Sequence, residues 1–209
     1  MNILITGGNG RLARKFKETS NENIFNPSKS ELNLLDKQSI IDFYNSNPNI
    51  DGIILNATMY PSEFYEFDNY FNDDILNRFI NSFKLVAIGN QQLINLYKNK
   101  IKFVINISSG VTNNKKPHGD YFGYKLVKTI SNFIIQEYSV NKQNLYDNIK
   151  FIILNPTHMV LDDDYNEQSK ILSNIIKSID KFKTGFEYYT DKSKPNQITD
   201  VNETHSINI

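Results

Sequence analysis

The sequence predicts an α/β protein in which a doubly wound parallel sheet carries helices on both faces, a three-layer α/β/α architecture. Two observations support this prediction. Short apolar runs alternate with amphipathic stretches along the whole chain, a pattern typical of parallel strands joined by crossover helices. The runs, such as Ile3-Leu4-Ile5 and Ile53-Ile54-Leu55, are apolar without interruption, as strands covered on both faces should be.

The elements follow in chain order. Strands are predicted at residues 3–5, 24–25, 53–55, 103–107, 151–154 and 198–201, and residues 32–34 form a short extended piece. Helices are predicted at residues 11–19, 37–46, 73–97, 121–140 and 168–182, because apolar residues recur there at helical spacing. Asp36 suits the N-cap of the second helix, and Asn47-Pro48 ends it. Residues 60–72 are predicted to form a loop, and Tyr188 falls in a stretch that we interpret as irregular and exposed.

Length and composition limit the classes of function. The chain has 209 residues, 23 basic and 23 acidic side chains, a formal net charge of +0 and no Cys. It contains no linker-like tract, so we expect a single domain spanning residues 1–209. The balanced charge argues against nucleic-acid binding. The lack of Cys excludes disulfides, thiolate catalysis and Cys-ligated metals.

The sequence offers no signal for a metal, a membrane or export. His118, His158 and His205 lack metal-ligand spacing, so we predict no metal site. No run approaches the ~18 apolar residues that a membrane span needs. The first residues lack the basic and apolar regions of a signal peptide. We therefore expect a cytoplasmic protein that does not bind membranes.

A glycine-rich turn follows the first predicted strand and opens the first helix. It reads Thr6-Gly7-Gly8-Asn9-Gly10-Arg11-Leu12-Ala13. Gly7 suits a tight turn, Gly10 lets a pyrophosphate approach the backbone, and Ala13 lets the helix pack close to the strand. The amino end of the helix offers unpaired N–H groups and a positive dipole end to phosphates. We predict a dinucleotide-binding site here, with an ordinary glycine-rich turn as the alternative.

The end of the second predicted strand bears on the choice of dinucleotide. An Asp or Glu there would hold the ribose hydroxyls of NAD, but no acid precedes Glu31 after the strand. Ser28 and Lys29 instead suit a 2′-phosphate by hydrogen bond and charge. This favours NADP(H), with NAD(H) as the second choice. The alternative is that Lys29 is an ordinary surface lysine.

Pairs of Tyr and Lys four positions apart are a second feature of interest. On a helix they share one face, and a nearby ammonium favours the phenolate, which lets the Tyr transfer a proton. Four pairs occur: Tyr121/Lys125, Tyr124/Lys128, Tyr138/Lys142 and Tyr188/Lys192. Position favours the first, because Tyr121 starts a helix after a Pro/Gly turn and the preceding strand ends in Ser108-Ser109. Tyr124/Lys128 is the rival, one turn deeper.

In this order, the motifs resemble the short-chain dehydrogenase/reductase family over nearly the whole chain. The glycine-rich turn resembles its nucleotide-binding turn, and Leu32-Asn33-Leu34-Leu35-Asp36 its adenine-contacting segment. The segments that resemble other family motifs are Asn56-Ala57-Thr58, Asn81 in its helix, Ile107-Ser108-Ser109, Tyr121 to Lys125, Asn155-Pro156-Thr157 and residues 197–207. Thr58 and Thr157 stand where the family has glycine, and Glu203-Thr204 replaces a Gly-Gly.

The resemblance implies a Rossmann-fold oxidoreductase that reduces a carbonyl, or oxidises a secondary alcohol, with a nicotinamide dinucleotide. Tyr121 would be the general acid/base, and Lys125 would bind the nicotinamide ribose and favour the Tyr121 phenolate. Ser109 would polarise the substrate carbonyl, with Ser108 as the fallback, and Asn81 would support a proton relay. The implied cofactor-binding residues are Gly7, Asn9, Gly10, Arg11, Leu12, Ser28, Lys29, Asn33, Leu34, Asn56, Ala57, Thr58, Tyr121, Lys125, Pro156, Thr157 and Met159.

Two other functions stay open at this point. The first turn and the run from Ser28 to Leu32 resemble dTDP-sugar reductases, so one alternative is a sugar-nucleotide reductase or epimerase. The other is a non-catalytic NADP-binding regulatory protein or scaffold, which the replaced glycines favour. For the oxidoreductase we expect a small-molecule carbonyl or alcohol substrate and a homodimer or homotetramer.

Overall fold

The strands form one sheet in the order β2-β1-β3-β4-β5-β6-β7-β8. The computed structural model describes residues 1–58, 73–113, 122–140, 146, 148–156, 162–190, 197–200 and 206–208. The strands are β1 (Asn2–Ile5), β2 (Asn23–Phe25), β3 (Gly52–Leu55), β4 (Phe103–Ile107), β5 (Lys150–Asn155), β6 (Phe186–Thr190), β7 (Gln197–Asp200) and β8 (Ser206–Asn208). Neighbours from β2 to β6 pair in parallel, and β7 and β8 add antiparallel pairs at one edge.

Helices cover both faces of this sheet. The α-helices are α1 (Arg11–Thr19), α2 (Lys37–Ser46), α3 (Asp73–Lys84), α4 (Asn90–Tyr97), α5 (Phe122–Ser139) and α6 (Asp162–Lys177). A π-helical turn (Leu85–Gly89) joins α3 to α4, and short 3₁₀ turns lie at Gly110–Asn113 and Ile179–Lys181. Buried side chains of α1 and α6 share one apolar cluster with the sheet. Those of α2, α4 and α5 share the cluster on the opposite face.

The alternation of side chains along each strand divides the core into these two clusters. In β1, Ile3 and Ile5 belong to the cluster under α1 and α6, whereas Leu4 belongs to the opposite one. All three are fully buried, which explains why the strand is apolar at every position. The chain leaves β1 toward β2 on one side and returns to β3 on the other. The gap between the carboxyl ends of β1 and β3 is therefore the topological switch point, where ligands bind in such sheets.

The predicted α/β architecture with a doubly wound sheet is confirmed, and the strands at β1 to β5 lie where the sequence predicts them. The second helix begins as expected, because the Asp36 carboxylate accepts hydrogen bonds from the N–H groups of Gln38 and Ser39. The last predicted helix, 168–182, is instead α6, which begins six residues earlier at Asp162 and ends at Lys177. The loop predicted at 60–72 lies outside the described residues.

The interpretation of Tyr188 as part of an irregular, exposed stretch is wrong. Tyr188 lies in β6, its side chain is 0% exposed, and its hydroxyl accepts a hydrogen bond from the Lys183 N–H. The neighbouring Glu187 hides the strand in the sequence, because a charged residue is unusual in a buried strand. Its carboxylate accepts hydrogen bonds from side-chain amides of Asn132 and Asn155, which come from α5 and β5.

The single helix predicted over 73–97 is also corrected. It is divided by the π-helical turn, in which the Asn90 N–H bonds to the Leu85 carbonyl five residues earlier. Such turns are rare in proteins overall, and those that occur often lie near functional sites. None of the described helices combines the length and the apolar composition that a membrane span requires.

Candidate active site

A cavity of about 470 Å³ opens at the carboxyl ends of β1 and β3, at the switch point of the sheet. Most of its walls come from the β1–α1 turn, the segment after β2 and the segment after β3. The lining residues are Gly7, Gly8, Asn9, Gly10, Arg11, Leu12, Pro27, Lys29, Leu32, Asn33, Leu34, Leu35, Asn56, Ala57, Thr58, Leu85 and Tyr165. Eleven of the residues predicted to bind a cofactor are thus brought together: Gly7, Asn9, Gly10, Arg11, Leu12, Lys29, Asn33, Leu34, Asn56, Ala57 and Thr58.

Glycine is required in the β1–α1 turn for two separate reasons. Gly7 has a φ of +72°, and a Cβ there would lie 2.9 Å from the Ala57 Cα. Gly8 donates its N–H to the Pro27 carbonyl at 3.0 Å, so close to this backbone that a Cβ would lie 1.9 Å from the Asn26 carbonyl oxygen. The Gly8 constraint escapes sequence reasoning, because it depends on how near β2 approaches the turn.

The amino end of α1 has no side-chain cap and no acidic residue in its first turn. Gly10 occupies the N-cap position. The first N–H groups of a helix lack partners within the helix, and they carry the positive end of its dipole. Because Gly10, Arg11 and Leu12 all line the cavity, this amino end borders the space that a phosphate would occupy.

Thr6 ties the ends of the two strands at the switch point. Its hydroxyl oxygen accepts hydrogen bonds from the N–H groups of Asn56 and Ala57 at 3.0 and 2.9 Å. In return, the Asn56 side-chain amide donates to the Thr6 carbonyl at 3.1 Å. These bonds hold the floor of the cavity in place. Thr58 follows with a buried hydroxyl that has no hydrogen-bond partner among the described residues.

The segment after β2 brings Lys29 to the cavity but not Ser28. Among the residues that the structure describes, Ser28 is absent from the cavity lining. Its N–H donates to the Glu31 carboxylate at 2.7 Å, and its hydroxyl pairs with that of Ser30 at 2.8 Å. The hydrogen bond from Ser28 lowers the pKa of the Glu31 carboxyl. Glu31, the first acidic residue after β2, is also absent from the lining, so its carboxylate does not face the cavity.

Asn33 belongs to the segment predicted to contact adenine, and its side chain has a structural role. Its Oδ1 accepts from the Leu35 N–H at 3.2 Å, which fixes the turn that leads to α2. The Asn33 N–H donates to the Ser39 hydroxyl at 2.9 Å. Asn33 and Leu34 both line the cavity. The adenine-contacting segment predicted from the sequence therefore borders the same cavity as the glycine-rich turn.

The predicted catalytic residues lie on three other elements. Ser109 follows β4, and its carbonyl accepts hydrogen bonds from the N–H and hydroxyl of Thr112. Lys125 lies in the first turn of α5 and Asn81 in α3, both half-buried. None of these three is among the described residues that line the cavity. Pro156 is buried just after β5. Tyr121, Thr157 and Met159 lie outside the described residues.

Lys128, from the rival Tyr124/Lys128 pair, is the unexpected side chain at this edge. It is 5% exposed, and its Nζ donates to the carbonyl of Ile107, the last residue of β4, at 2.7 Å. Burial lowers the pKa of the Lys128 ammonium to about 8, and it forms no ion pair with a carboxylate within the described ranges. Ser108, which follows Ile107, has a buried hydroxyl with no hydrogen-bond partner among the described residues. Lys128 therefore holds the strand end from which Ser109 follows.

Six lining residues are not among the predicted cofactor-binding residues. Gly8, Leu32 and Leu35 lie inside the predicted glycine-rich turn and adenine-contacting segment, whereas Pro27, Leu85 and Tyr165 lie outside both. Leu85 begins the π-helical turn, which no sequence pattern announced. Tyr165 lies in the first turns of α6, and its ring centroid is 5.7 Å from the Arg11 guanidinium carbon. No group of three or more His, Cys, Asp or Glu that could hold a metal ion occurs within the described residues.

No protein-family model and no curated protein matches the sequence. Solved structures match in three dimensions. An oxidoreductase (short chain dehydrogenase/reductase) from Brucella ovis superposes with a TM-score of 0.71 at 11% identity, over 91% of this chain and 99% of that one. A second from Brucella ovis, in complex with a partially ordered NAD, gives 0.69 at 10% identity, over 91% and 99%. A small-chain dehydrogenase in complex with NADPH gives 0.67 at 12%, over 91% and 96%.

These similarities establish the fold of the chain. It is the fold of the short-chain dehydrogenase/reductase structures, present over about nine-tenths of the chain and nearly all of each neighbour. The resemblance seen in the sequence motifs is therefore matched by the three-dimensional arrangement of the strands and helices that bear them.

Proposed function

We propose that the chain is an NADP(H)-dependent oxidoreductase that reduces the carbonyl group of a small molecule, or oxidises the corresponding secondary alcohol. The principal support is the chemistry of the cavity: an uncapped helix amino end, Arg11 and Lys29 line it, and no acidic side chain does among the described residues. Dinucleotide phosphates need such a positive surface. The shared fold, with NAD and NADPH in the two liganded neighbours, points the same way.

The described residues fit a nicotinamide dinucleotide. Gly7 and Gly10 add no side chain to the turn where a pyrophosphate would approach. The buried Thr58 hydroxyl has no hydrogen-bond partner among the described residues, and a ligand would supply one. Asn33 and Leu34 border the adenine end in this proposal. Lys29 would bind the 2′-phosphate, without help from Ser28. A lysine at position 29 favours NADP(H) over NAD(H), because an acidic side chain there would repel the 2′-phosphate.

The proposed reaction assigns a role to each predicted catalytic residue and to Lys128. When bound, the nicotinamide supplies or accepts the hydride. Ser109 would donate a hydrogen bond to the substrate carbonyl oxygen, and Tyr121 would deliver the proton as the alkoxide forms. Lys125 would hold the ribose and favour the Tyr121 phenolate, and Asn81 would carry the proton relay. Lys128 would keep the Ser108-Ser109 segment in position through the Ile107 carbonyl.

The test is a panel of carbonyl substrates, including a 4-keto nucleotide sugar, assayed with NADPH and NADH. We expect wild type to oxidise NADPH with at least one substrate and Tyr121→Phe to lose at least about 100-fold, the lower end of general acid contributions. Tyr124→Phe is the matched control and should keep its activity. Loss in Tyr124→Phe with retention in Tyr121→Phe would assign the proton transfer to the rival pair.

A non-catalytic NADP-binding protein is the second candidate. It is favoured by the fact that the described cavity is lined by cofactor-type residues and by none of Ser109, Lys125 and Asn81. This candidate predicts tight NADPH binding by fluorescence titration, no turnover with any carbonyl in the panel, and full cofactor affinity in Tyr121→Phe.

We also propose that the protein assembles as a homodimer or homotetramer. Leu76, Ile80 and Phe83 lie one helical turn apart on α3 and are each about two-fifths exposed. Phe133 on α5 is 59% exposed. Apolar side chains grouped on a surface, as the three on α3 are, mark interaction sites. Light scattering of wild type and of Phe133→Lys tests this, because the charged variant should dissociate.

A further inference from the structure

We infer that Tyr165 is a positioning residue that holds the Arg11 guanidinium for the pyrophosphate of the proposed cofactor. This inference rests on the proposed function and adds a residue from α6, which no motif of the glycine-rich turn includes. The Arg11 guanidinium carbon is 5.7 Å from the Tyr165 ring centroid, within the range of a cation–π contact. Both residues line the cavity.

The Tyr165 ring is anchored, so it can define the place of a long side chain. It packs against the apolar cluster under α1 and α6, the cluster to which Leu12 and Ala13 of the same turn belong. Arg11 is exposed, and a long side chain with four rotatable bonds loses rotamer entropy when it becomes ordered. A fixed aromatic neighbour reduces the entropy that Arg11 loses when it binds a ligand.

A cation–π contact leaves the binding groups of arginine available. The guanidinium keeps its planar fork of N–H groups, which can donate two parallel hydrogen bonds to a phosphate. Arg11 is the first residue of α1, so its side chain starts beside the uncapped N–H groups of that helix. Guanidinium and helix end would therefore act on one phosphate group, whereas Lys29 comes from the segment after β2, on the other side of the turn.

This division of labour gives distinct expectations for two dinucleotides. The pyrophosphate is common to NADPH and NADH, but the 2′-phosphate is present in NADPH alone. Tyr165→Leu should raise the Kd of both dinucleotides about fivefold, which is the fold-change expected for loss of a partly desolvated cation–π contact. Tyr165→Phe, which retains the ring, should stay within about twofold of wild type. Arg11→Gln should weaken both dinucleotides about tenfold or more, as expected for a lost charged hydrogen bond.

The experiment is a fluorescence titration of NADPH and NADH on wild type, Tyr165→Leu, Tyr165→Phe, Arg11→Gln and the Arg11→Gln/Tyr165→Leu double variant. If Tyr165 acts through Arg11, Tyr165→Leu should change the Kd by less than about twofold in the Arg11→Gln background. Ile179→Ala is the matched control, because Ile179 packs on the same cluster without lining the cavity. Arg11→Lys replaces Tyr165→Leu if that variant does not fold, and it should weaken both dinucleotides because it lacks the planar fork.

The outcomes separate this inference from the proposed function. If wild type binds neither dinucleotide, the proposed cofactor is wrong and this inference fails with it. If wild type binds NADPH but Tyr165→Leu and Arg11→Lys leave both Kd values unchanged, or weaken NADPH alone, the assignment of Tyr165 and Arg11 to the pyrophosphate is overturned while the proposed function stands. Additive effects in the double variant overturn the action of Tyr165 through Arg11.

Discussion

The Lys128 ammonium donates a 2.7 Å hydrogen bond to the Ile107 carbonyl, inside the core and one residue before the Ser108-Ser109 segment. A buried cation without a described carboxylate partner reduces stability, because the charged form is poorly solvated there. The charged Lys128 side chain should therefore lower the free energy of unfolding. Mutation of Lys128 can separate its effect on stability from its effect on the Ser108-Ser109 segment.

We predict a pH dependence of stability that originates at Lys128. Burial lowers its pKa to about 8 in the folded state, against 10.5 for the unfolded value. Between these values the unfolded chain holds a proton that the folded chain lacks, so the free energy of unfolding rises with pH, by up to about 3 kcal/mol in all. Below pH 8 both states are protonated and this contribution is constant. Urea unfolding at pH 7 to 10.5 measures the slope.

The controls for this prediction use the two lysines of α5. Lys128→Met should remove most of the rise, because it retains the length of the side chain without its charge. Lys125→Met should keep the rise, because Lys125 is only half-buried. An unchanged slope in Lys128→Met would mean that the Lys128 ammonium is not buried in the folded protein.

A Cβ at Gly8 should be far less tolerated than one at Gly110. At Gly8 it would lie 1.9 Å from the Asn26 carbonyl oxygen, whereas at Gly110 its nearest neighbour would be the Pro156 oxygen at 3.9 Å. We expect Gly8→Ala to lose about 3 kcal/mol, the upper range for overpacking, and Gly110→Ala to lose less than about 1 kcal/mol. Thermal and urea unfolding measure both. Equal stability of the two variants would show that β2 can move away from the turn.

Thr6→Val should cost about 2 kcal/mol, since it keeps the shape but removes the hydroxyl oxygen that accepts from the Asn56 and Ala57 N–H groups. A buried N–H group left without an acceptor lowers the stability of the protein by an amount in this range. Thr6→Ser retains the oxygen and should lose less than about 1 kcal/mol, the usual cost of a small apolar deletion. Fluorescence titration with NADPH should show weaker binding in Thr6→Val but not in Thr6→Ser. Loss in Thr6→Ser equal to that in Thr6→Val would assign the effect to the methyl group.

Lys29→Met should weaken NADPH binding about tenfold and leave NADH binding within about twofold, because only NADPH has the 2′-phosphate. The effect on NADPH should diminish as salt concentration rises. Lys102→Met is the control: Lys102 is exposed just before β4, at the opposite edge of the sheet. Equal weakening of both dinucleotides in Lys29→Met would place Lys29 at the pyrophosphate instead.

The sequence predicts the fold well where local patterns and tertiary contacts agree. β1, the turn at Gly7 and Gly10, and α1 all follow from an apolar run, glycine spacing and amphipathic periodicity. The register of β1 between β2 and β3 then brings Asn56 beside Thr6 without any further signal. These are the elements whose residues line the cavity, which is why most of the predicted cofactor residues lie together there.

Prediction from the sequence fails where a distant residue decides the local structure. Glu187 makes β6 look exposed, and its partners Asn132 and Asn155 lie more than 30 positions away in sequence. Lys128 looks like a surface lysine on an amphipathic helix until the Ile107 carbonyl is seen beside it. Ser28 looks like a phosphate ligand until Glu31 and Ser30 take its N–H and hydroxyl. For Glu187 and Lys128 a hydrogen bond across the fold overrides the local pattern, whereas the partners of Ser28 lie only two and three positions away.

The π-helical turn at Leu85–Gly89 determines where the chain can change length. Its hydrogen bond from the Asn90 N–H to the Leu85 carbonyl spans one residue more than in an α-helix, so the wide turn absorbs an extra residue. Loss of one residue there would convert the turn to α-helix and leave α4 nearly in phase with α3. Leu93, Ile94 and Tyr97, all fully buried, would then stay in the core. A deletion inside α4 before Leu93 would instead rotate these side chains by about 100° away from the core. The helix can therefore lose a residue at the cavity wall near Leu85 at less cost than within α4.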